Sequence, residues 1–239
     1  MVSIRPGWPL TIFVAIFFPV FVGLGIWQLN RANEKAQLEA QIQAGREVRL
    51  LAPAETPVLY QHYQVSGRLD NRHLWLLDNR THQGRAGYEV WLPLVTDSGW
   101  YLVSAGWVAG SSDRHQLPDV VLPNDYRPWL AQTRPLSRTI TLDQAEQNSH
   151  WPQRIQTLDP DLMAAQLDRS KPLGLLQLTE GQPGVGPIIW TPTVMTAQRH
   201  RGYAVQWFGM AVALVLMYVY AGYRFAQPTQ TNSHKEDSE

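Results

Sequence analysis

The sequence contains no cysteine. Disulfides, thiolate nucleophiles, iron–sulfur clusters and Cys-ligated zinc or copper are therefore excluded. It also carries no net charge, because 20 Lys and Arg balance 20 Asp and Glu. A neutral chain gives no reason to expect nucleic acid as a partner. Catalytic signatures are missing as well. There is no Gly-x-Ser-x-Gly and no phosphate loop. Gly181-Gln182-Pro183-Gly184-Val185-Gly186 is glycine-rich, but its prolines argue against a helix opening there. His62, His73, His82, His115 and His150 are scattered, without metal-ligand spacing, and His234 lies near the C-terminus. Asp78 and Glu89 have no recognised acid–base spacing, and Asp78-Asn79 reads more simply as a turn. No enzyme is expected. Charge is absent, finally, from two long stretches, Trp8 to Leu29 and Tyr203 to Tyr223. Each is near the roughly 20 residues that an α-helix needs to cross a bilayer core.

What is present is organised around those two stretches. The first could be a signal peptide, with Arg5 as its charged start. It is long for that role, and Trp27-Gln28-Leu29 is too bulky for a cleavage site, so 8–29 is read as a retained transmembrane helix, interrupted at Pro19. Residues 30–47 continue at helical spacing with a charged face, until Gly45 and the prolines at 53 and 57 break the pattern. The second span is 203–225. The polar tail 226–239 is expected to be disordered.

Between the spans, 30–199 reads as one β-rich domain. Tyr60–Gly67, His73–Leu77, Tyr88–Val95 and Trp100–Ser104 are short strands, the last two joined by the glycine turn Asp97-Ser98-Gly99. Ser111–Asn124 reads as a loop. Ser137–Leu142, Arg154–Leu158 and Leu173–Leu178 are further strand candidates, and Pro187–Trp190 a possible return to the sheet. Asp159-Pro160 starts a short helix, with Asp159 as cap and Pro160 in the first helical position. The fold class expected is a membrane protein with two transmembrane α-helices flanking a β-rich (α+β) extramembrane domain, an antiparallel sheet or small barrel. Two spans put both termini on one side of the lipid bilayer. Cations flank both ends of both spans, so the side does not follow from charge.

The entrance to the second span, Arg199-His200-Arg201-Gly202-Tyr203, is the unusual feature. His200, Tyr203 and Trp207 form one stripe at helical spacing. Two crossings would bring Trp27, Gln28 and Arg31 to the same surface as His200, Arg201 and Tyr203. One reading is a packed helix pair with interfacial anchors, in which Gly209 and Ala213 make a small-x-x-x-small contact and Gly23 and Gly25 ease close approach. The other is a site for a flat, lipid-soluble anion. A haem would suit it, with an axial imidazole, arginines for the propionates and its tail in lipid.

Gly25-Ile26-Trp27-Gln28-Leu29-Asn30-Arg31, followed by Lys35, resembles the signature closing the first helix of the Surfeit locus protein 1 family. His200-Arg201-Gly202-Tyr203-Ala204-Val205-Gln206-Trp207-Phe208 resembles that family's second signature, and Gly87–Leu94 and Leu102–Val108 its central pattern. Ser104-Ala105 departs from it, standing where the family has Asn-Arg. The resemblance spans about Leu24 to Phe225. It implies an assembly factor for haem-copper terminal oxidases, chiefly cytochrome c oxidase, in the bacterial inner membrane with the central domain periplasmic and the tail cytoplasmic. It implies haem A as cofactor, with His200 as ligand to the haem iron and Arg201, Tyr203, Trp207, Trp27, Gln28 and Arg31 around it. The partners implied are the oxidase catalytic subunit, haem A synthase and other assembly factors. A scaffold that stabilises oxidase subunits without haem is the alternative. A membrane-anchored hydrolase is a third reading without a catalytic motif.

Overall fold

The computed structural model describes residues 7–111, 113, 116–136, 150–192 and 195–225. Ser137–Leu142 and the tail 226–239, named above as strand and disordered segment, lie outside these residues. Contacts divide the chain into two units, Met1–Glu39 with Thr193–Glu239, and Ala40–Pro192.

The first unit is a helix pair. Helix α1, Trp8–Ala44, runs unbroken through Pro19 and stops at the buried Gly45. Its 37 residues make a rod roughly 55 Å long at 1.5 Å per residue, longer than the roughly 30 Å bilayer core, so it continues for several turns beyond one. The second long helix, Ala197–Phe225, is numbered α3 because a short α2 precedes it. Both are long and apolar enough to span a membrane. They run antiparallel: Thr11 Oγ1 lies 3.2 Å from Tyr218 Oη, and Phe21 stacks on Trp207 with ring centroids 5.8 Å apart.

The seam is made of small residues. On α3, Ala197, His200, Ala204, Ala211 and Leu214 are buried; on α1, Gly25 and Ala32. Both sets recur at seven residues, the period that keeps one face of a helix on its partner. A Cβ added at Gly25 would lie 2.6 Å from the Phe208 ring, so only glycine admits this contact. The small-residue contact expected at Gly209 and Ala213 does not form. Both are exposed, as is Gly23, and nothing lies within 4 Å of a Cβ built at Gly209 or Gly23.

The second unit is a barrel. Its strands are β1 (Val48–Leu50), β2 (His62–Leu69), β3 (Trp75–His82), β4 (Arg85–Thr96), β5 (Gly99–Ala109), β6 (Arg127–Thr133), β7 (Gln153–Ile155) and β8 (Leu175–Leu178), with α2 (Pro160–Gln166) before β8. Pairing runs β2-β6-β8-β5-β4, and β4 returns to β2 through Arg68↔Val95 and Leu69↔Leu94. That closes five strands into a Greek-key barrel with the strand order of OB-type barrels. β4 changes partner along its length, from β3 at Trp91 to β2 at Leu94. Pro93 sits at the handover, where a missing N–H is tolerated.

Burial follows the strand alternation. Val90, Leu92, Leu94, Tyr101, Val103, Trp129, Leu176 and Leu178 fill the barrel. Trp75, Trp91, Trp100 and Leu102 face a second core closed by Ile155 and by Met163 and Ala164 of α2. β4 and β5 are thus covered on both faces and read as nearly continuous apolar runs. α2 begins as its sequence dictates, Asp159 Oδ1 accepting from the N–H groups of Asp161 and Leu162 at 3.1 Å each.

The expected small barrel is present, and three pairings make the sheet mixed. β1 with β2, β3 with β7 and β5 with β8 are parallel. The strands β1 and β6 fall where no strand is expected. Pro187–Trp190 forms no strand, although Gly186 N donates to Ala105 O and Trp107 N to Pro187 O, both at 2.8 Å. This close approach needs Gly106, with φ +89°, since a Cβ there would stand 2.3 Å from Gly186 O.

Candidate functional site

In the helix pair the polar residues collect where α3 begins. Glu39 Oε1 accepts from Ala197 N at 2.9 Å, satisfying a donor that the first turn leaves free. One turn on, His200 is buried, only 9% exposed, with Nδ1 2.8 Å from Gln28 Oε1. An amide oxygen can only accept, so with Oε1 facing it Nδ1 is the donor; the neutral ring in that arrangement has its lone pair on Nε2. Nε2 has no partner among the described residues, nor is it a sealed, unsatisfied atom.

The other expected site residues divide around this pair. Trp207 lies half-buried on the same side of α3, against Phe21. Tyr203 leaves the expected stripe: it is 44% exposed, and Ala204 takes the seam position. At roughly 100° per residue Tyr203 lies about 60° to one side of His200 and Ala204 about 40° to the other. The small residue goes inward because only it permits close packing. Trp27 is half exposed, and Arg31 is exposed with Nη1 2.6 Å from Glu34 Oε2. Arg199 and Arg201 are exposed on either side of His200. The set at this end is the Nε2 nitrogen of one imidazole, three exposed guanidiniums, of which Arg31 is paired with Glu34, and three aromatic rings. That set fits an iron porphyrin with carboxylate side chains.

The barrel holds a polar cluster that no sequence spacing signals. Arg134 Nη1 donates to Glu89 Oε1 at 2.5 Å and to Gln177 Oε1 at 3.0 Å, while Ser104 Oγ donates to Glu89 Oε1 at 2.7 Å. All four residues are buried. The guanidinium lies between two indoles, 4.8 Å from the centroid of Trp91 and 4.9 Å from that of Trp190. Burial pulls the Arg134 pKa below its ordinary value, and the Glu89 carboxylate opposes this. Arginine stays charged regardless. Glu89 thus pairs with Arg134 and Ser104, not with Asp78, and the sequence clue to its burial is its place between Tyr88 and Val90. Of the two departures from the family pattern, Ser104 serves this cluster and Ala105 is buried in the barrel core.

Elsewhere on the barrel a cleft of about 570 Å³ is lined by Arg68, Asp70, Arg72, His73, Tyr126 and Arg169 among others. Burial would raise the Asp70 carboxyl, but His73 at 2.9 Å, the Arg72 N–H and Arg169 at 3.0 Å outweigh it and hold it below the usual carboxylate value. No group of three or more metal-ligating side chains occurs among the described residues.

Two apolar helices with a five-stranded barrel between them in sequence define a membrane-associated protein with an extramembrane β domain. The family model described as the SURF1 family matches residues 15–212, and the chain belongs to that family. It is similar to SURF1-like proteins of Rickettsia. The Rickettsia felis protein is 25% identical over 224 residues, covering 86% of this chain and 93% of the relative. Those of Rickettsia conorii and Rickettsia bellii are 27% and 28% identical, over 86% of this chain and 88% and 87% of theirs. Membership carries a general role in cytochrome c oxidase assembly. The matched span contains both terminal motifs, Gly25–Lys35 and His200–Phe208.

Proposed function

We propose that the protein binds haem A at the membrane surface through His200 and hands it to the catalytic subunit of a haem-copper oxidase during assembly, without catalysing a reaction. One observation carries this reading: the His200 imidazole is fixed between the helices by its Nδ1, which leaves Nε2 as a ligand nitrogen. Arg199 and Arg201 would face the propionates, and Trp207, Tyr203 and Trp27 would flank the ring. When bound, haem A supplies the iron centre that is to be delivered. The chain's own part is to hold that group and keep it at the interface. The proposal includes the bacterial inner membrane, a periplasmic barrel, and haem A synthase and other assembly factors as partners.

The test is absorbance in the Soret region of protein purified from haem-A-producing cells. His200→Ala should remove or strongly change the spectrum while membrane insertion persists. A wild-type chain without haem, or an unchanged spectrum in the variant, would favour a scaffold that binds oxidase subunits alone. A periplasm-dependent reporter fused after Glu239 should be silent, and activity would reverse the orientation.

A further inference from the structure

Among the described residues, Gln28 is the one hydrogen-bonded to His200, and it bonds the nitrogen away from the proposed ligand. A neutral imidazole exists as two tautomers, and iron needs a nitrogen that carries no proton. Which nitrogen is free is decided by what the other one bonds to. Oε1 of the half-buried Gln28 sits 2.8 Å from Nδ1 of His200, which is itself 9% exposed, so water competes poorly for that hydrogen bond. Gln28 and His200 come from opposite ends of the chain, so the bond also fixes the ring against the first helix.

We propose that Gln28 is the positioning residue of this site. It accepts a hydrogen bond from Nδ1–H, holds the imidazole as the tautomer with its lone pair on Nε2, and fixes the orientation of the nitrogen that would hold the iron. This rests on His200 as the haem ligand. As a positioning residue Gln28 acts through His200, so its contribution is separable from the arginines and indoles around it.

The experiment uses the full-length chain in detergent with haemin as the probe and two readouts. Imidazole ¹⁵N resonances of the haem-free protein, assigned by their loss in His200→Ala, report the tautomer. Haemin titration reports affinity. In the wild type Nδ1 should be protonated and Nε2 unprotonated. Q28L should shift the population toward the opposite tautomer and weaken haemin binding by about 10–100-fold, the usual loss when a ligand's supporting hydrogen bond is removed. Q28E, which still offers an acceptor oxygen, should keep both the tautomer and most of the affinity. Spin labels on cysteines placed at the exposed Gly23 and Gly209 should show the same helix separation in Q28L as in the wild type. The inference fails if Q28L leaves tautomer and affinity unchanged, if Nε2 carries the proton in the wild type, or if affinity falls only together with helix separation and Q28E does not restore it. If instead wild type and His200→Ala bind haemin equally, the ligand assignment itself has failed, and the ¹⁵N data still decide what Gln28 does.

Discussion

The barrel and the helix pair are built from opposite materials. The barrel unit buries its largest side chains in its two cores, with Trp75, Trp91, Trp129, Leu92, Leu94 and Leu102 removed from solvent. The helix pair turns its large side chains outward: only 6% of the apolar window of α1 and 17% of that of α3 are buried. Its seam is Gly25, Ala32, Ala197, Ala204 and Ala211. In water, burying apolar surface drives association, so the bulky groups go inside. In lipid that drive is absent, and close backbone approach and hydrogen bonds between helices replace it. Each unit contains the exception its material permits. The barrel buries an ion pair whose carboxylate is met by Arg134 and Ser104, while Arg134 Nε is left without a hydrogen-bond partner. The helices bury one imidazole, hydrogen-bonded through Nδ1 to a half-buried amide.

Breaking the barrel's exception should have the largest effect. Arg134→Ala leaves Glu89 charged and buried, which costs about 3–5 kcal/mol. Thermal unfolding followed by near-UV circular dichroism should show the tryptophan signal lost at much lower temperature, while the far-UV helix signal persists. Replacing Glu89 and Arg134 together by Leu and Met should recover most of the loss.

The helix pair should respond to size where the barrel responds to charge. Gly25→Leu forces the Phe208 ring aside and should weaken the pair by about 1–3 kcal/mol. Spin labels at Gly23 and Gly209 should then give a broad distance distribution, with barrel melting unchanged.

A smaller effect concerns acid. Because the folded Asp70 carboxyl holds its proton less tightly than the unfolded one, unfolding takes up a proton at low pH. The stabilisation is present above about pH 4 and is lost as pH falls below it. Asp70→Asn should be less stable at pH 7 and have a shallower acid limb in denaturant titrations. The smallest effect is at Arg31: its ion pair with Glu34 is 51% and 60% exposed. Arg31→Ala should change stability by less than about 1 kcal/mol.

What the sequence revealed follows the range of the interactions involved. The spans, the end of α1 at Gly45, the Asp159 cap and the Asp97-Ser98-Gly99 hairpin are local and were legible. β6 was hidden because Pro128 interrupts it, and its inward positions are Trp129, Ala131 and Thr133, of which one alone is large and apolar. The parallel neighbours of β5 and β3 lie tens of residues away, beyond any periodicity. In the site, His200 and Gln28 could both be named, but not the bond between them. The choice of Ala204 over Tyr203 for the seam needed the partner helix.

The pairing of first with last elements has a consequence for synthesis. α1 is made before the barrel strands, and its partner α3 after them. β5 is complete at Ala109, yet its parallel neighbour begins at Leu175. A growing chain therefore carries a solitary N-terminal helix and an open sheet edge until nearly all of it exists. A message truncated before Leu175 yields neither unit, so shortened products should be cleared by proteolysis and show no partial activity.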